Sequence, residues 1–487
     1  AGPSPISPEP AQEIATEKTK RPSGLLIVSW FLLAATGVIL LVSVTNNITL
    51  NIPPIPFLWT LPLAIYLVTY ILSFFDERIY HRAYWNLAFA LVALMGVLLF
   101  FIGTHFNLIT QLVLYLVILF VGCMICHGEI ARSKPDGPYL TLFYLVLAAG
   151  GFAGSLFTSV IATRIFTQYY EFILGLAGVF LLVTLMIRTF EKDNRKVMAI
   201  PTLGLGVFVL LFGYLQSQFT QFNVYETRNF YGILQVKDLE HNGQKERRLI
   251  DGYTSHGTQS LLNKVAPIPM SYYRFETGIG ISLMALKPEQ RERVGIIGLG
   301  VGALAFYGQA NDRYVYYELN PSVETVAKDY FDFLATSAAT LEVRLGDARV
   351  TLEKELVQPG GQGYQVLVVD AFSSDAIPMH LLTEEALALY TSHLAEDGVL
   401  AFHVSNSYLD LKPVLLHHAK KLGLTALYFK TEANEADPHG AEWVMLSNNA
   451  DYLTQTEVKR MSLPLEAVSK NAIRWTDNYS SLLSVVK

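Results

Sequence analysis

Cysteine and charged residues are both scarce in this chain of 487 residues. Cys123 and Cys126 are its two cysteines, so the sequence carries no disulfide framework. Charged residues make up 16% of the chain, against roughly 25% in an average soluble protein, and the deficit lies almost entirely before residue 217. The formal net charge of −6 argues against a nucleic acid as the main partner. The chain therefore divides into two halves that suit different solvents.

Long apolar segments fill the first half. A helix needs about 20 mainly apolar residues to cross a bilayer, because its backbone polar groups must be satisfied within the segment. Seven segments qualify or come close, at residues 25–44, 57–75, 84–102, 108–126, 139–161, 170–187 and 197–215. The sequence predicts a disordered tail at residues 1–24 and an α-helical transmembrane bundle of about seven spans at 25–217. Such a protein would be a multi-pass protein of the cell (inner) membrane.

Glycines and basic residues add two expectations for the bundle. Gly150, Gly151 and Gly154 permit two helices to approach closely, and we expect packing inside one bundle, with a dimer interface as the alternative. Basic residues cluster before the first span and after the second, fourth and sixth spans. By the positive-inside rule these loops face the cytoplasm. Seven spans then place the second half outside the cytoplasm, an unusual location for a nucleoside-binding domain, so the sequence leaves its side open.

The segment Cys123-Met-Ile-Cys126-His127 has the spacing of a c-type haem attachment site. Such a site must be exposed outside the cytoplasm, whereas the charge pattern puts this loop inside. We therefore interpret the cysteines as small apolar residues at the end of a helix and expect no haem. No cluster of His, Cys and Asp in the sequence has metal-ligand spacing, so no metal is predicted either.

The pattern changes after Gln218 to alternating residues and turn signals. Residues 229–236 alternate as a strand, Asn242-Gly243 supplies a hairpin turn, and 247–251 return as its partner. Aromatic residues between Tyr225 and Tyr231 suit the membrane surface, with closure of a ligand cleft as the alternative. The sequence predicts a β-hairpin subdomain at 218–275, ahead of an α/β domain at 276–487.

The α/β domain opens with a short apolar strand that runs into Gly298, Gly300 and Gly302. Glycines let the backbone turn sharply and approach a ligand that a Cβ would exclude. The second strand ends in Glu318, about 20 residues later, where a carboxylate can accept both ribose hydroxyls.

Two further strands end in acidic residues. The third leads into Asp347 and Ala348, a pair suited to an adenine amino group, and the fourth ends in Asp370. Four consecutive strand ends of this kind predict a nucleoside-binding cleft in a Rossmann-like fold.

The motifs at these strand ends resemble the membrane-fused spermidine synthase-like (polyamine aminopropyltransferase-like) proteins. Similar segments occur in both halves of the chain, at residues 56–66, 126–132, 318–321, 345–349, 367–383, 403–406 and 475–483. The resemblance implies a class I methyltransferase or spermidine synthase fold that takes S-adenosylmethionine, or its decarboxylated form, as co-substrate. It also recasts Cys126-His127 as part of a family motif.

The resemblance further implies roles for individual residues. Asp370 would be the acid at the reaction centre, where it acts as a base or an electrostatic guide for the attacking amine, and Asp375 would accompany it. An amine must lose a proton before it can attack, which makes a nearby carboxylate chemically apt. Gln259, Tyr273 and Asp477 would line the acceptor side, and Tyr273 would also be within reach of the donor.

This chain departs from the soluble spermidine synthases on the acceptor side. Asp370 and Asp375 are five residues apart rather than three, and Gln259 comes late after the Asp251-Gly252 turn. The donor pocket looks retained and the acceptor pocket rebuilt. We therefore expect a small amine or a hydrophobic molecule as acceptor and leave putrescine in doubt.

Three functions stay open at this point. The first is an alkyl transferase of the aminopropyltransferase type, the second an S-adenosylmethionine-dependent methyltransferase, and the third a non-catalytic nucleoside-fold subunit or scaffold of a membrane complex. His256 and His403 lie beside the predicted cleft and could act as acid or base, although we expect ordinary hydrogen-bonded histidines. The expected partners are the lipid bilayer and the acceptor, with a homo-oligomer or a membrane-complex partner left open.

Overall fold

The structure is a computed structural model that describes most of the chain. The described residues are 21–51, 59–190, 195–241, 243–252, 254–262, 267–356, 361–372, 377–406, 409–433, 440–469 and 471–487.

Helices make up the first half. They are α1 (Gly24–Asn51), α2 (Thr60–Phe75), α3 (Arg82–Ile102), α4 (Leu108–Arg132), α5 (Leu140–Leu156), α6 (Ala162–Ile165), α7 (Tyr170–Phe190) and α8 (Arg195–Thr220). A π-helical segment, Phe157–Ile161, joins α5 to α6. Among the described residues, six helices are long and apolar enough to cross a membrane. This finding is compatible with the predicted membrane protein.

The predicted span at 57–75 differs from the other six. Its helix α2 has 16 residues, which is short of the roughly 20 that a crossing requires. Residues 57 and 58 lie outside the described part of the chain. The count of seven spans therefore stays a prediction.

Glycines bring α5 into close contact with α1. A Cβ on Gly150 would lie 2.3 Å from the carbonyl oxygen of Phe31, and one on Gly154 would lie 2.4 Å from that of Ala35. Neither distance can accommodate a side chain, whereas Gly151 shows an ordinary contact distance of 3.5 Å. The predicted packing inside one bundle is confirmed for the first two glycines.

The Cys-Met-Ile-Cys-His segment lies inside α4, which continues to Arg132 rather than ending at the cysteines as expected. Cys123 and Cys126 are fully buried. The Nδ1 atom of His127 lies 2.9 Å from the hydroxyl of Thr69 on α2, and its ring stacks on a tyrosine of the same helix. The segment packs α4 against α2.

The two ends of the bundle differ in charge. At one end Trp30 donates a hydrogen bond to Ser133 (2.9 Å), which brings the start of α1 to the end of α4. At the other end Phe172 packs on Tyr115, so α4 and α7 both start there. Basic residues at the first end are Arg21, Arg78, Arg132, Lys134 and Arg188. Helix α8 leads into the second half of the chain at the opposite end.

A small antiparallel sheet follows the bundle. Its strands are β1 (Asn223–Asn229), β2 (Gly232–His241), β3 (Gln244–Asp251) and β4 (Thr254–Ser260), paired in chain order. The predicted strand at 229–236 is wrong in its first part, because Phe230 and Tyr231 form the turn between β1 and β2. Gly232 has a φ of +149°, a conformation that favours glycine, at the point where the chain reverses.

A larger sheet with flanking helices completes the chain. Its strands are β5 (Arg293–Ile297), β6 (Arg313–Glu318), β7 (Thr340–Leu345), β8 (Tyr364–Val369), β9 (Leu394–His403), β10 (Thr425–Thr431), β11 (Ala441–Ser447) and β12 (Ser462–Pro464). The helices are α9 (Gly278–Ala285), α10 (Pro321–Tyr330), α11 (Phe333–Thr336), α12 (Ala348–Glu355), α13 (Glu384–Ser392), α14 (Lys412–Leu422), α15 (Ala450–Thr454), α16 (Thr456–Met461) and α17 (Leu465–Val468).

The strand order is β7-β6-β5-β8-β9, continued by β11, β10 and β12. The first five strands are parallel, and β11 is antiparallel to both of its neighbours. This 3-2-1-4-5 arrangement is that of a doubly wound sheet and confirms the predicted Rossmann-like fold. The order reverses between β5 and β8, where such sheets bind ligands beyond the carboxyl ends of the strands.

Both faces of the large sheet are buried. Along β6, Tyr314 and Tyr316 point into one apolar cluster, whereas Val315 and Tyr317 point into the other. A parallel sheet covered on both sides requires such apolar runs. Polar side chains that serve a ligand are thereby confined to the ends of the strands.

Candidate active site

An open cleft with an empty volume of about 1010 Å³ lies at the carboxyl ends of β5, β6, β7 and β8. Its position matches the reversal of the strand order. The facing wall comes from the small sheet and the segment after it, through Tyr231, Leu234, Leu249, Asp251, His256, Tyr272 and Tyr273. The two sheets therefore form the cleft together.

Gly298 and Gly300 line the cleft at the turn after β5. Gly298 has a φ of +99°, and a Cβ there would lie 2.4 Å from the carbonyl oxygen of Asp370. Gly300 has a φ of +52°, and a Cβ there would lie 2.7 Å from the carbonyl oxygen of His256. The turn thus brings backbone to the cleft where a side chain does not fit.

Gly302 has a different position from the one predicted. It precedes the 3₁₀ helix Ala303–Tyr307 in a left-handed conformation, and a Cβ there would lie 2.6 Å from Leu334. It is not among the residues that line the cleft. Its role in the structure is close packing behind the turn.

Glu318 lies at the end of β6 and lines the cleft as predicted. Its carboxylate accepts the backbone N–H groups of Leu299 (3.0 Å) and Asn320 (2.7 Å), which fix its orientation. Burial raises the pKa of Glu318.

Asp251, at the end of β3, also lines the cleft. Burial, together with the charge of Glu318, raises the pKa of Asp251 to about 7. The sequence alone assigns Asp251 no ligand role, although its Asp-Gly turn is a signal that could have identified it.

Asp347 and Ala348 line the cleft at the start of α12. One oxygen of Asp347 accepts the backbone N–H of Val350 at 3.0 Å and caps the helix. The other lies 3.1 Å from Nε2 of His380, which also lines the cleft.

Asp370 lies directly after β8, and its side chain is almost fully buried. One carboxylate oxygen accepts the hydroxyl of Tyr273, and the other lies 2.8 Å from Nδ1 of His403. Tyr273 thus lines the cleft as predicted, and burial raises the pKa of its hydroxyl well above its usual range. It is therefore a hydrogen-bond donor at neutral pH.

Hydrogen bonds determine the tautomer of His403. The hydroxyl oxygen of Ser405 accepts the backbone N–H of Glu442 and lies 2.8 Å from Nε2 of the imidazole. An ionised carboxylate can only accept, so Nδ1–H donates to Asp370 and Nε2 can accept the proton of the Ser405 hydroxyl. The ring stacks between Tyr272 and an indole, with centroids at 4.5 and 4.7 Å. His403 is held in place to orient the carboxylate.

His403 was expected to be an ordinary hydrogen-bonded histidine, and its partner makes it part of the site. Its position as the last residue of β9, next to the strand that leads to Asp370, is the signal that could have identified it. His256 lines the cleft, and burial lowers its pKa to about 4. Its Nε2 atom has no hydrogen-bond partner among the described residues.

Gln259 does not line the cleft, contrary to the role implied for it. It donates to the carboxylate of Asp332 at 2.6 Å and accepts the backbone N–H of the same residue at 2.9 Å. Successive residues of a strand point to opposite faces. That alternation is interrupted on β4, where the register against β3 shifts between Ser255 and Thr258, so the hydrogen bonds to Asp332 are what hold Gln259 out of the cleft lining.

Asp477 is also not among the residues that line the cleft. Its carboxylate binds Arg349 at 2.6 Å and accepts the hydroxyl of Thr383 at 2.8 Å. The hydrogen bond from the guanidinium lowers the pKa of Asp477. Neither its position nor that of Gln259 supports an acceptor-side role. Asp375, predicted as the second acid, lies outside the described residues.

The charges around the cleft are of one sign. Its lining includes Asp251, Glu318, Asp347 and Asp370, and no Lys or Arg from the described part of the chain. Such a lining attracts a cation and disfavours a phosphate. The second half is thus a Rossmann-like domain with an acidic cleft at the switch point of its sheet.

Sequence comparisons extend this description. No protein-family model matches the chain. A polyamine aminopropyltransferase of Vibrio vulnificus (strain CMCP6) is 37% identical over 126 residues, covering 25% of this chain and 39% of that protein. A probable polyamine aminopropyl transferase of Bifidobacterium longum (strain NCC 2705) is 25% identical over 186 residues, covering 37% of each. The chain thus spans less than half the length of these curated relatives. Over these stretches the chain is similar to polyamine aminopropyltransferases, which supports a protein of the spermidine synthase-like kind.

Solved structures were also compared. A probable spermidine synthase from Corynebacterium glutamicum ATCC 13032 is 16% identical and covers 53% of this chain and 98% of that one, with a TM-score of 0.41. The spermidine synthase from Thermotoga maritima is 16% identical and covers 55% and 90%, with a TM-score of 0.31.

Proposed function

We propose that this protein is a membrane-bound transferase of the aminopropyltransferase type. It would bind S-adenosylmethionine or its decarboxylated form and transfer an alkyl group from the sulfonium to an amine. The single observation that carries the proposal is the set of four carboxylates around a cleft whose described lining has no Lys or Arg. Both reactants are cationic before reaction, which matches that lining.

The donor would occupy the strand ends. The turn at Gly298 and Gly300 gives room for the nucleoside, and Glu318 would accept the ribose hydroxyls. Asp347 and the backbone at Ala348 would recognise the adenine. In this arrangement the residues present fit a nucleoside that carries a positive charge.

Asp370 would act on the acceptor. As a carboxylate held by Tyr273 and His403, it can take a proton from an ammonium or orient the free amine. His403 would be a positioning residue, because it touches Asp370 and is held by stacked rings on both sides.

A methyltransferase is the second candidate. An N-terminal histidine N-methyltransferase of Emericella nidulans is 30% identical over 110 residues, covering 22% of this chain and 19% of that protein. The two candidates differ in their nucleoside product, which is methylthioadenosine after aminopropyl transfer and S-adenosylhomocysteine after methyl transfer.

Titration calorimetry on the detergent-purified protein tests the donor site. We expect saturable binding of S-adenosylmethionine, its decarboxylated form or methylthioadenosine, and the preferred ligand indicates the group transferred. Folded protein that binds none of the three would refute the proposal and favour a non-catalytic subunit of a membrane complex.

We also propose that the soluble half lies outside the cytoplasm. The basic residues gather at the end of the bundle opposite to that half, and basic loops face the cytoplasm in most membrane proteins. Because both native cysteines are buried, single-cysteine variants test this sidedness. An impermeant maleimide applied to intact cells should label Glu432→Cys and not Arg78→Cys, and the reverse result would overturn it.

A further inference from the structure

One ion pair fixes the soluble half to the end of the bundle. Arg228 of β1 donates to both carboxylate oxygens of Glu171 on α7, at 2.8 and 3.0 Å, and to the carbonyl of Gln168 at 2.9 Å. Its guanidinium also lies 4.3 Å from the ring centroid of Tyr169. The paired side chains are 3% and 0% exposed. Such a contact leaves β1 little freedom relative to α7.

Aromatic rings surround this end of the bundle. Phe101 packs on Phe212 and Phe219 of α8, and Tyr170 packs on Phe100 and Phe166, with centroids 5.2 to 5.9 Å apart. Aromatic belts with tyrosine mark the level of the lipid headgroups. The ion pair at the start of α7 therefore lies at the membrane interface.

The turn between β1 and β2 joins this interface to the cleft. Asn229 donates to Asn320, at 2.6 Å, beside the residues that position Glu318. Tyr231 lines the cleft, and Phe230 is 95% exposed. With about 3.3 Å per residue along a strand, Phe230 lies within about 7 Å of Arg228. The headgroup region is about 5 to 8 Å thick on each side of the bilayer, so this turn lies within it or at its edge.

The mouth of the cleft is apolar where it meets this turn, and the interior is acidic. Tyr231 and Leu319 both line the cleft, and they are 41% and 46% exposed. Phe230 stands fully exposed beside them. An amphipathic amine fits this gradient, because its apolar part stays at the membrane and its ammonium reaches the carboxylates.

We infer that the acceptor is the amine headgroup of a membrane lipid, drawn into the cleft past Phe230 and Tyr231. The inference rests on the proposed transferase function and names its substrate class. It also accounts for a soluble domain fixed to a helical bundle.

The step balances without a further reactant. The headgroup ammonium loses one proton to Asp370, and its nitrogen lone pair attacks the carbon bonded to the sulfonium. A C–N bond forms, the C–S bond breaks, and its electron pair stays on sulfur, which becomes a neutral thioether. The lipid amine gains the alkyl group, and the proton passes on to water.

Reconstitution of the full chain into vesicles tests the inference. One set contains phosphatidylcholine alone and the other contains phosphatidylcholine with phosphatidylethanolamine, and both receive the sulfonium donor that binds. We expect release of the nucleoside product, and a lipid mass increased by the transferred group, in the second set alone. Donor binding without lipid modification overturns the inference, and added putrescine then shows whether the transferase proposal survives. Absence of donor binding overturns both.

Two matched variants test whether the lipid headgroup enters the cleft past Phe230. Phe230→Asp puts a charge on the turn at the interface, and Leu463→Asp puts one on β12 at the far edge of the large sheet, where the side chain is 53% exposed. We expect Phe230→Asp to lower the rate of lipid modification about ten-fold, with donor affinity retained. Equal rates in both variants would contradict the proposed entry.

Discussion

The two halves of this protein bury carboxylates in opposite ways. In the bundle Glu129 is fully buried and forms an ion pair with Arg82, and Glu171 is fully buried and forms one with Arg228. In the cleft the described lining offers four carboxylates and no Lys or Arg. Glu318 and Asp370 there rely on N–H and O–H donors, which orient a carboxylate without cancelling its charge.

The paired carboxylates of the bundle stabilise the structure, whereas the carboxylates of the cleft are available to a ligand. A buried charge is costly unless it is paired, so the pairs in the bundle are complete and leave nothing for a ligand. Among the described lining residues the carboxylates of the cleft have no Lys or Arg as a partner, so a bound cation completes them. Substitutions in the two regions should therefore change different measurements.

Asp370→Asn should have the largest effect on activity. It removes the base and leaves the shape of the cleft, so we expect kcat to fall by about 10² to 10⁴, with donor binding preserved in calorimetry. The matched control is Asp477→Asn, because that carboxylate does not line the cleft and pairs with Arg349. Comparable losses of kcat in the two variants would contradict our assignment of the site.

Glu171→Gln should instead affect stability. Arg228 would be left buried without a counter-charge, and we expect the free energy of unfolding in detergent to fall by about 3 to 5 kcal/mol. The exposed pair Lys287–Asp451 serves as control. Asp451→Asn should change the same free energy by less than about 1 kcal/mol.

Glu318→Gln should weaken binding of the donor and leave the fold intact. Loss of a hydrogen bond to a charged group costs about 1.5 to 3 kcal/mol, which corresponds to a roughly 10- to 150-fold rise in the donor Kd. Calorimetry measures it directly. An unchanged Kd would exclude Glu318 from the ribose site.

The pH dependence of donor binding should show the smallest effect. Because the pKa of Asp251 is raised to about 7, its negative charge appears in the folded protein as the pH rises through 7. Affinity for a cationic donor should increase between pH 6 and 8 by less than about ten-fold. Stability should change in the opposite direction, falling between pH 4 and 7, because the unfolded chain releases this proton at lower pH.

Asp251→Asn is the control for that dependence. The amide cannot ionise, so donor affinity and stability should both depend less on pH. His256, whose pKa is lowered to about 4, stays neutral over this range and does not contribute. If donor affinity still depends on pH in Asp251→Asn, another group that faces the cleft is responsible, and Glu318 is the first candidate.

The sequence predicts those parts of the cleft that short, local segments form, and it predicts long-range contacts less well. The turn at Gly298 and the acids Glu318, Asp347 and Asp370 all follow strands in a parallel sheet, and strand ends of a parallel sheet meet at one edge. Their place in the cleft follows from their position directly after a strand.

Long-range contacts were beyond such reasoning. The resemblance implies roles for Gln259 and Asp477, but their positions depend on partners distant in the sequence, Asp332 and Arg349. The role of His403 does not follow from its own segment, because its partner Asp370 comes from the neighbouring strand. The alternation of residues 229–236 predicts a strand throughout and does not reveal that the chain reverses at Phe230 and Gly232.

The pair between Glu171 and Arg228 also bears on how the protein is made. Glu171 is synthesised 57 residues before Arg228, and helices α7 and α8 precede the strand that carries the cation. Until β1 emerges, the bundle holds an acid with no counter-ion, so that carboxyl must stay protonated or hydrated. Final closure of the bundle therefore depends on the start of the soluble domain. An N-terminal fragment that ends at α8 would lack the residue that completes its own core.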